Sequence, residues 1–424
     1  MCMLSKQIQM KRMKRTMLTM LAAVTMMTGA SAQKTERLAH IVDGFYEKDS
    51  VVLDSMYNYW NDFVAQHPKD EIAWRNLFEV TDRKVFCLGY KKKDWKSGED
   101  LRKQLNVVGR MEKAIPNSYT FYYCAYQDNY KPGLLEKADA DKMYADSAIA
   151  KLPDDSWADD YELWIQYLIP QRDTVRMVTL LKRYYESGQY PEESLQYHFN
   201  ELQGMNEGGV YIGPHPGGII GKLILQYVLG VHKDKVLYDE DAAMNPDYVK
   251  DVFGHIGIPF DDKVWNQLHN ALLQDQTLRN IMHYIFDHSE RPVYLSAHDI
   301  WVYNLSQGLS DDIKACLYNE GLTMRYSAKP YDNRAVKRRN IEQRYRLEYL
   351  RMPFHPEVRD TRRYEMFSGS GQSMNYIRLL HDQLPYYKQH NPERYQWLTD
   401  IFNDIIRQLE KRGYDVNEFK GYLK

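Results

Sequence analysis

The sequence predicts a mainly α-helical chain with an α/β part: an N-terminal array of helical hairpins, then a small parallel-sheet α/β domain that runs on into a helical C-terminal tail. Three observations predict it. Between residues 35 and 204, aromatic and aliphatic side chains recur three or four apart and prolines punctuate the pattern, which is the period of buried helix faces. From residue 205, short runs of Val, Ile, Leu and Tyr alternate with helical stretches, as strands joined by crossover helices do. Beyond residue 328 the helical period returns in an Arg-rich stretch. The segments are 1–32, an export signal; 33–204, the helical array; 205–328, the α/β domain; and 329–424, a basic segment with C-terminal helices. A chain of 424 residues exceeds what one core commonly serves. With 44% hydrophobic and 27% charged residues it is not a disordered chain. A net charge of −2 supplies no global attraction to nucleic acid. The 35 Tyr against 13 Phe favour half-buried aromatic positions with one wet end.

The first element is an address. Lys6, Lys11, Arg12, Lys14 and Arg15 form a basic n-region, Met17 to Met27 carries no charge, and Ala30-Ser31-Ala32 is a small-residue cleavage site. The apolar part is well short of the ~20 residues that span a bilayer, and no other uncharged run approaches that length. The expected mature protein is periplasmic or secreted, with no transmembrane helix. Three cysteines then remain, Cys87, Cys124 and Cys316, without a CxxC pair. One disulfide, Cys87–Cys124, and three buried free thiols are both open.

The array follows. Leu53, Met56, Tyr57, Trp60 and Val64 share one helical face, as do Tyr161, Trp164, Ile165 and Leu168. Pro68, Pro116, Pro132, Pro153, Pro170 and Pro191 break the pattern. Pro68 precedes a helix holding Trp74, Pro116 one holding Tyr122, and Pro153 one holding Trp164. Such punctuation marks helical hairpins, and with Tyr184-Tyr185-Glu186-Ser187-Gly188-Gln189-Tyr190-Pro191 the stretch resembles tetratricopeptide-type repeats. The resemblance implies a shared core and a surface for partners.

The α/β domain reads as strand, loop, helix, repeated. The strands are Gly209–Gly213, Lys235–Tyr238 and Arg291–Ser296; the helices lie at 219–229, 247–253 and 261–288, with Asn245-Pro246 as cap and first position of the second. Parallel pairing would put His215, Asp239, Glu240, Asp241, His298 and Asp299 just past strand C-termini, where open α/β sheets bind ligands. These are the candidate catalytic residues, with His215, Asp239, Asp241, His298 and Asp299 foremost. Imidazoles and carboxylates are also ligands for a divalent metal. Gly213, Gly217, Gly218 and Gly221 lie between a strand and a helix. Backbone N–H groups at Gly217 and Gly218 holding an anion, and simple tight-turn glycines, are both open. No GxSxG elbow or Cys/His signature is present. The pairs Asp154-Asp155, Asp159-Asp160 and Asp311-Asp312 sit at helix starts, as capping residues do.

Gly208–Ile212 with Leu225–Val231 and Lys235–Leu237, then Arg291–Leu295 and Glu320–Tyr326, follow one another in an order that resembles the soluble C-terminal region of bacterial integral membrane proteins of the protein-O-mannosyltransferase-like family. The likeness covers roughly residues 205–411, with Asn375–Leu380 and the helix at 395–411 as its continuation. That family places an acidic Gly-Asp-Asn-Asp-type loop after the first strand, where this chain has Gly213-Pro214-His215-Pro216-Gly217. The resemblance therefore implies a soluble envelope relative and no inherited catalytic residue.

Residues 329–363 hold eleven basic residues against five acidic, including Arg338, Arg339 and Arg344, candidates for binding an anion. Ile341, Tyr345 and Tyr349 are spaced for an amphipathic helix whose basic face is simply solvated, which is the other reading. Phe367–Ser373, with two glycines, reads as a loop. The function expected is an exported, non-catalytic binding or scaffold protein, or an envelope accessory protein, with a protein or an anionic glycan as partner. The alternative is a glycan- or phosphate-directed enzyme working at the His/Asp rim. A divalent metal there is the single cofactor considered.

Overall fold

The computed structural model describes residues 50–92, 95–129, 139–213, 218–269, 274–298, 309–354 and 369–423. Residues 1–32, where an export signal is expected, and Pro132, His215, Gly217, Asp299, Arg359, Arg362 and Arg363 lie outside these. The chain is mainly α-helical with a small sheet and a helical tail, the class its sequence predicts.

The N-terminal helices are α1 (Ser50–Gln66), α2 (Glu71–Lys92), α3 (Trp95–Leu105), α4 (Val107–Ala114), α5 (Tyr119–Asn129), α6 (Asp139–Ala150), α7 (Ala158–Gln171), α8 (Thr174–Glu186) and α9 (Glu192–Gly204). Most neighbours in sequence pack on one another. Pro68, Pro116, Pro153 and Pro191 fall between helices as expected, because proline lacks the N–H that a helix interior needs. Capping side chains restart the chain: Asp70 accepts the Ala73 N–H at 2.9 Å and Ser118 the Phe121 N–H at 3.0 Å. Trp74 on α2 returns its indole N–H to the Pro68 carbonyl at 2.9 Å. Trp164 on α7 is fully buried and donates to the Tyr119 hydroxyl at 3.1 Å. Pro170 is no break; it lies in the last turn of α7, which Arg172 closes in the left-handed conformation at φ 58°. Cys87, Cys124 and Cys316 are free thiols, the first two buried.

The sheet comprises β1 (Val210–Gly213), β2 (Val236–Asp239), β3 (Val293–Ser296), β4 (Leu317–Asn319) and β5 (Thr323–Tyr326), in the order β2-β1-β3-β5-β4. The three foreseen strands pair in parallel, Val210 opposite both Val236 and Val293. The sheet as a whole is mixed rather than parallel. A β4–β5 hairpin adds antiparallel to β3, with Leu295 opposite Met324. A two-strand hairpin needs only a tight turn, so nothing forces a crossover there. Gly321 supplies that turn at φ 125°. The connections are α10 (Ile220–Leu223) prolonged by a π-turn (Ile224–Val228), α11 (Pro246–Ile256), α12 (Asp262–Leu268) and α13 (Gln274–His288). Asn245 caps α11 as its sequence foretells, accepting the N–H groups of Asp247 and Tyr248.

After α14 (Asp311–Ala315) and the hairpin, α15 (Asn333–Arg339) runs into a second π-turn (Asn340–Arg344). The long amphipathic helix expected through Tyr349 is not formed: the backbone is extended at Tyr345, with ψ 135°. Tyr345 leaves the helix because its hydroxyl accepts the Leu322 N–H at 3.0 Å, at the hairpin turn. The tail is α16 (Gly369–Leu380), α17 (Leu384–His390), α18 (Pro392–Lys411) and α19 (Asn417–Tyr422). Residues 369–373, expected in a loop, open α16; its buried Gln372, Ser373 and Asn375 belong to a helix packed on α9. One cluster of buried side chains runs from Trp60 to Ile313, straight across residue 205, and a second joins the tail to Tyr197, Ala297 and Leu322.

Candidate functional site

In the order β2-β1-β3 the chain leaves β1 toward one side and then crosses back to the other. The C-terminal ends of β1 and β3 therefore flank a topological switch point, where such sheets open a crevice. His298 follows β3 at that point and is buried. The loop after β1, with His215 and Gly217, and Asp299 after His298 lie outside the described residues.

Beneath the switch point is a buried triad that sequence reasoning missed. Lys222 on α10 donates to Glu201 Oε2 at 2.5 Å and to the Gly218 carbonyl at 2.7 Å, and lies 2.9 Å from His198 Nδ1. His198 Nδ1 also lies 2.9 Å from Glu201 Oε2, so this one ring nitrogen faces both an ammonium, which can only donate, and a carboxylate, which can only accept. The other ring nitrogen, Nε2, lies 3.4 Å from the Gln372 side-chain Nε2. Lys222, Glu201 and His198 are each at most 2% exposed. Burial, and then Lys222, depress the His198 pKa to about 4, so its imidazole is neutral at pH 7. Burial pushes the Glu201 carboxyl up, but Lys222 and His198 outweigh it and hold it below its ordinary value. Gly218, an anion-binding candidate, serves here as an acceptor for a cation. One signal for the triad was present: Lys222 stands alone in Ile219-Ile220-Gly221-Lys222-Leu223-Ile224-Leu225, a cation in an apolar run.

The remaining candidates do not gather. Asp239 and His298 sit at the ends of β2 and β3, with β1 between them, a separation of about 10 Å from strand spacing alone. The buried Asp239 caps the 3₁₀ turn Glu240–Ala242, accepting the Asp241 N–H at 3.0 Å; Asp241 itself is exposed. His298 neighbours Asn375, Glu201 and Arg378, and burial above all depresses its pKa to about 4. Among the described residues no three His, Cys, Asp or Glu side chains come together as metal ligands.

The basic stretch closes helix ends. Arg344 donates to the carbonyls of Gly204 at 2.9 Å and Met205 at 3.4 Å, at the C-terminus of α9. The buried Lys337 reaches the Leu379 carbonyl at 3.1 Å and Asp382 at 2.9 Å, at the end of α16. Cations are favoured there because unpaired carbonyls and the helix dipole make these ends negative. Arg338 lies 4.1 Å from the Tyr386 ring centroid, and Arg339 is exposed.

A cleft of 290 Å³ opens beside β2, between the end of α7, the start of α8, the π-turn after α10 and α11. Ile169, Met177 and Leu223 line it with apolar surface, and Arg172, Asp251, Lys233 and the buried Lys235 with charge. Arg172 pairs with Asp251 and Lys235 with Asp234, each at 2.5 Å. Strand β2 is an edge of the sheet. Its Val236 N–H is bonded to Gly209, so Lys235, Leu237 and Asp239 turn their backbone groups outward. Lys235 accepts from Gln226 at 2.9 Å and Asp239 donates to the Tyr248 hydroxyl at 2.7 Å. Between them, the Leu237 N–H and C=O point away from β1, and Leu237 lines the cleft. Among the described residues no helix is long and apolar enough to cross a membrane. Compared with protein-family models, curated proteins and solved structures, the chain matches none of them.

Proposed function

We propose that this chain is an exported, non-catalytic binding or scaffold protein of the bacterial envelope, with its ligand received in the cleft beside β2. The observation that carries the reading is the composition of that cleft: aliphatic lining, ion-paired charges with the exposed Lys233 beside them, and one stretch of open strand edge. Concave apolar sites with a few placed polar groups are what ligands occupy. The charged candidates support the same reading, since Asp239 caps a turn after β2, Arg344 closes the end of α9, and Lys222, Glu201 and His198 engage one another. The basic n-region with its small-residue cleavage site, and the resemblance to envelope proteins, support the location. Thr174, exposed at the cleft mouth, gives the test. Peptide and anionic-glycan panels are screened by thermal shift against the mature protein and Thr174→Trp. At least one ligand should raise the Tm of the wild type, leave the variant unmoved, and be recovered unchanged. Recovery of a chemically altered ligand overturns the reading.

A second reading, a glycan- or phosphate-directed enzyme, is favoured by one observation, the neutral His298 at the end of β3 beside Glu201. It requires that His298→Gln abolish a turnover which Thr174→Trp leaves intact.

A further inference from the structure

We infer that the cleft takes an extended, acidic segment of a partner protein, added to β2 as one more strand; the inference rests on the binding role proposed above and names its ligand class. The unpaired edge of a sheet is a template for another chain, and strand addition draws affinity from backbone hydrogen bonds and specificity from side-chain pockets. Here the edge is closed at both ends by side chains, Gln226 on Lys235 and Tyr248 on Asp239. That leaves the N–H and C=O of Leu237, a residue that lines the cleft, turned away from β1 on the open edge. A single residue of an antiparallel partner satisfies both groups, since a hydrogen-bonded pair exchanges two bonds. The ladder is thus one residue pair long, and the ligand is a short segment rather than a whole strand.

Charge chooses the class of segment. Arg172 and Lys235 in the cleft are each paired, with Asp251 and Asp234. Lys233, beside them, has no carboxylate partner among the described residues and stands at the N-terminal approach to β2. The buried Asp239 is turned onto the Asp241 N–H. An incoming carboxylate therefore meets a cation, whereas an incoming cation meets only acids already engaged. Side chains of an added strand alternate between the two faces, so an apolar residue next to the paired one can meet the apolar lining at Met177 and Leu223.

The probe is a fluorescein-labelled acetyl-Val-Glu-Val-Glu-Val-amide, read by fluorescence polarisation on the full mature chain. A counterpart carries Lys for Glu, and a series carries one N-methyl group at each internal position. Binding should be at least tenfold tighter for the Glu peptide than for the Lys peptide, and Lys233→Glu should reverse that order. At least one N-methylated peptide should bind fivefold or more weaker. Leu237→Pro should weaken binding while leaving the far-UV spectrum and Tm in place, because its N–H is outside the ladder and proline is tolerated at sheet edges. Undiminished binding of every N-methylated peptide overturns strand addition and leaves the cleft a receptor. A heparin hexasaccharide that shifts the Tm and is blocked by Thr174→Trp, with no peptide bound, overturns the peptide class alone. Failure of both probes overturns the inference and the binding role with it.

Discussion

The ammonium of Lys222 sits in a fully buried pocket, bonded to a carboxylate and a carbonyl and beside an imidazole. Desolvating such a pair costs several kcal/mol per ion, and the mutual attraction only offsets it. The pair is therefore of little net value to stability, yet each member is indispensable while the other remains. Glu201→Gln or Lys222→Met alone should each cost about 3–5 kcal/mol. The double variant Glu201→Leu/Lys222→Met should cost less than either. Urea unfolding at pH 7.5 checks this; additive losses would refute it. Gly221, one residue earlier, carries a second expectation. Alanine is normally worth about 1 kcal/mol over glycine inside a helix, but a Cβ here runs into the His198 ring and the Tyr190 hydroxyl. Gly221→Ala should destabilise, whereas Gly254→Ala on α11, where a Cβ meets open space, should stabilise by about 0.5–1 kcal/mol. At this scale little of the site was legible. Lys222 advertised itself by its apolar neighbours, but His198 and Glu201 look like any polar pair three apart on a helix. Their convergence with α10 exists only in three dimensions.

At the scale of elements, what was legible followed from local chemistry. Strands β1, β2 and β3 are short, β-branched or aromatic and bounded by Gly, Asp or Pro, so their placement needed no tertiary information. The same holds for α11, whose Asn-Pro start is a complete N-cap. The hairpin β4–β5 escaped because three- and four-residue strands carry no periodicity. The helix expected through Tyr349 failed because a contact outside the segment, the Tyr345 hydroxyl on the Leu322 N–H, outweighs its own period. Arg344 illustrates the same rule for charge. Sequence marked it as a candidate anion binder, and the fold uses it to close α9. Arg344→Ala should then cost about 1–2 kcal/mol, the worth of a charge-assisted bond to a helix end. Affinity for heparin should be unchanged by it. A loss of heparin binding without a loss of stability would return Arg344 to the surface role.

For the whole molecule, the decisive feature is that three parts meet at two neutral histidines. His198 lies on α9, the last helix before the sheet, His298 follows β3, and Gln372 and Asn375 reach both from α16 of the tail. Both imidazoles have folded-state pKa values of about 4 against an ordinary 6.5, chiefly because burial penalises the cation. The folded state thus refuses protons that the unfolded chain accepts between those values. Stability is complete above pH 6.5 and falls as the pH drops toward 4, by about 2 kcal/mol per histidine at pH 5. Glu201, held below its ordinary value, adds a further loss at lower pH still. Because the buried cluster from Trp60 to Ile313 is continuous, acid should not release the sheet from the N-terminal helices. The lost stability should appear as one transition, with hydrogen exchange in α7 and α13 accelerating together between pH 7.5 and 5. Replacing both histidines by glutamine should flatten the pH dependence over that range, whatever it does to stability at pH 7.5. A slope that survives the double replacement would place the acid sensitivity elsewhere, and exchange in α7 that lags behind α13 would show that the core is cut near residue 205 after all.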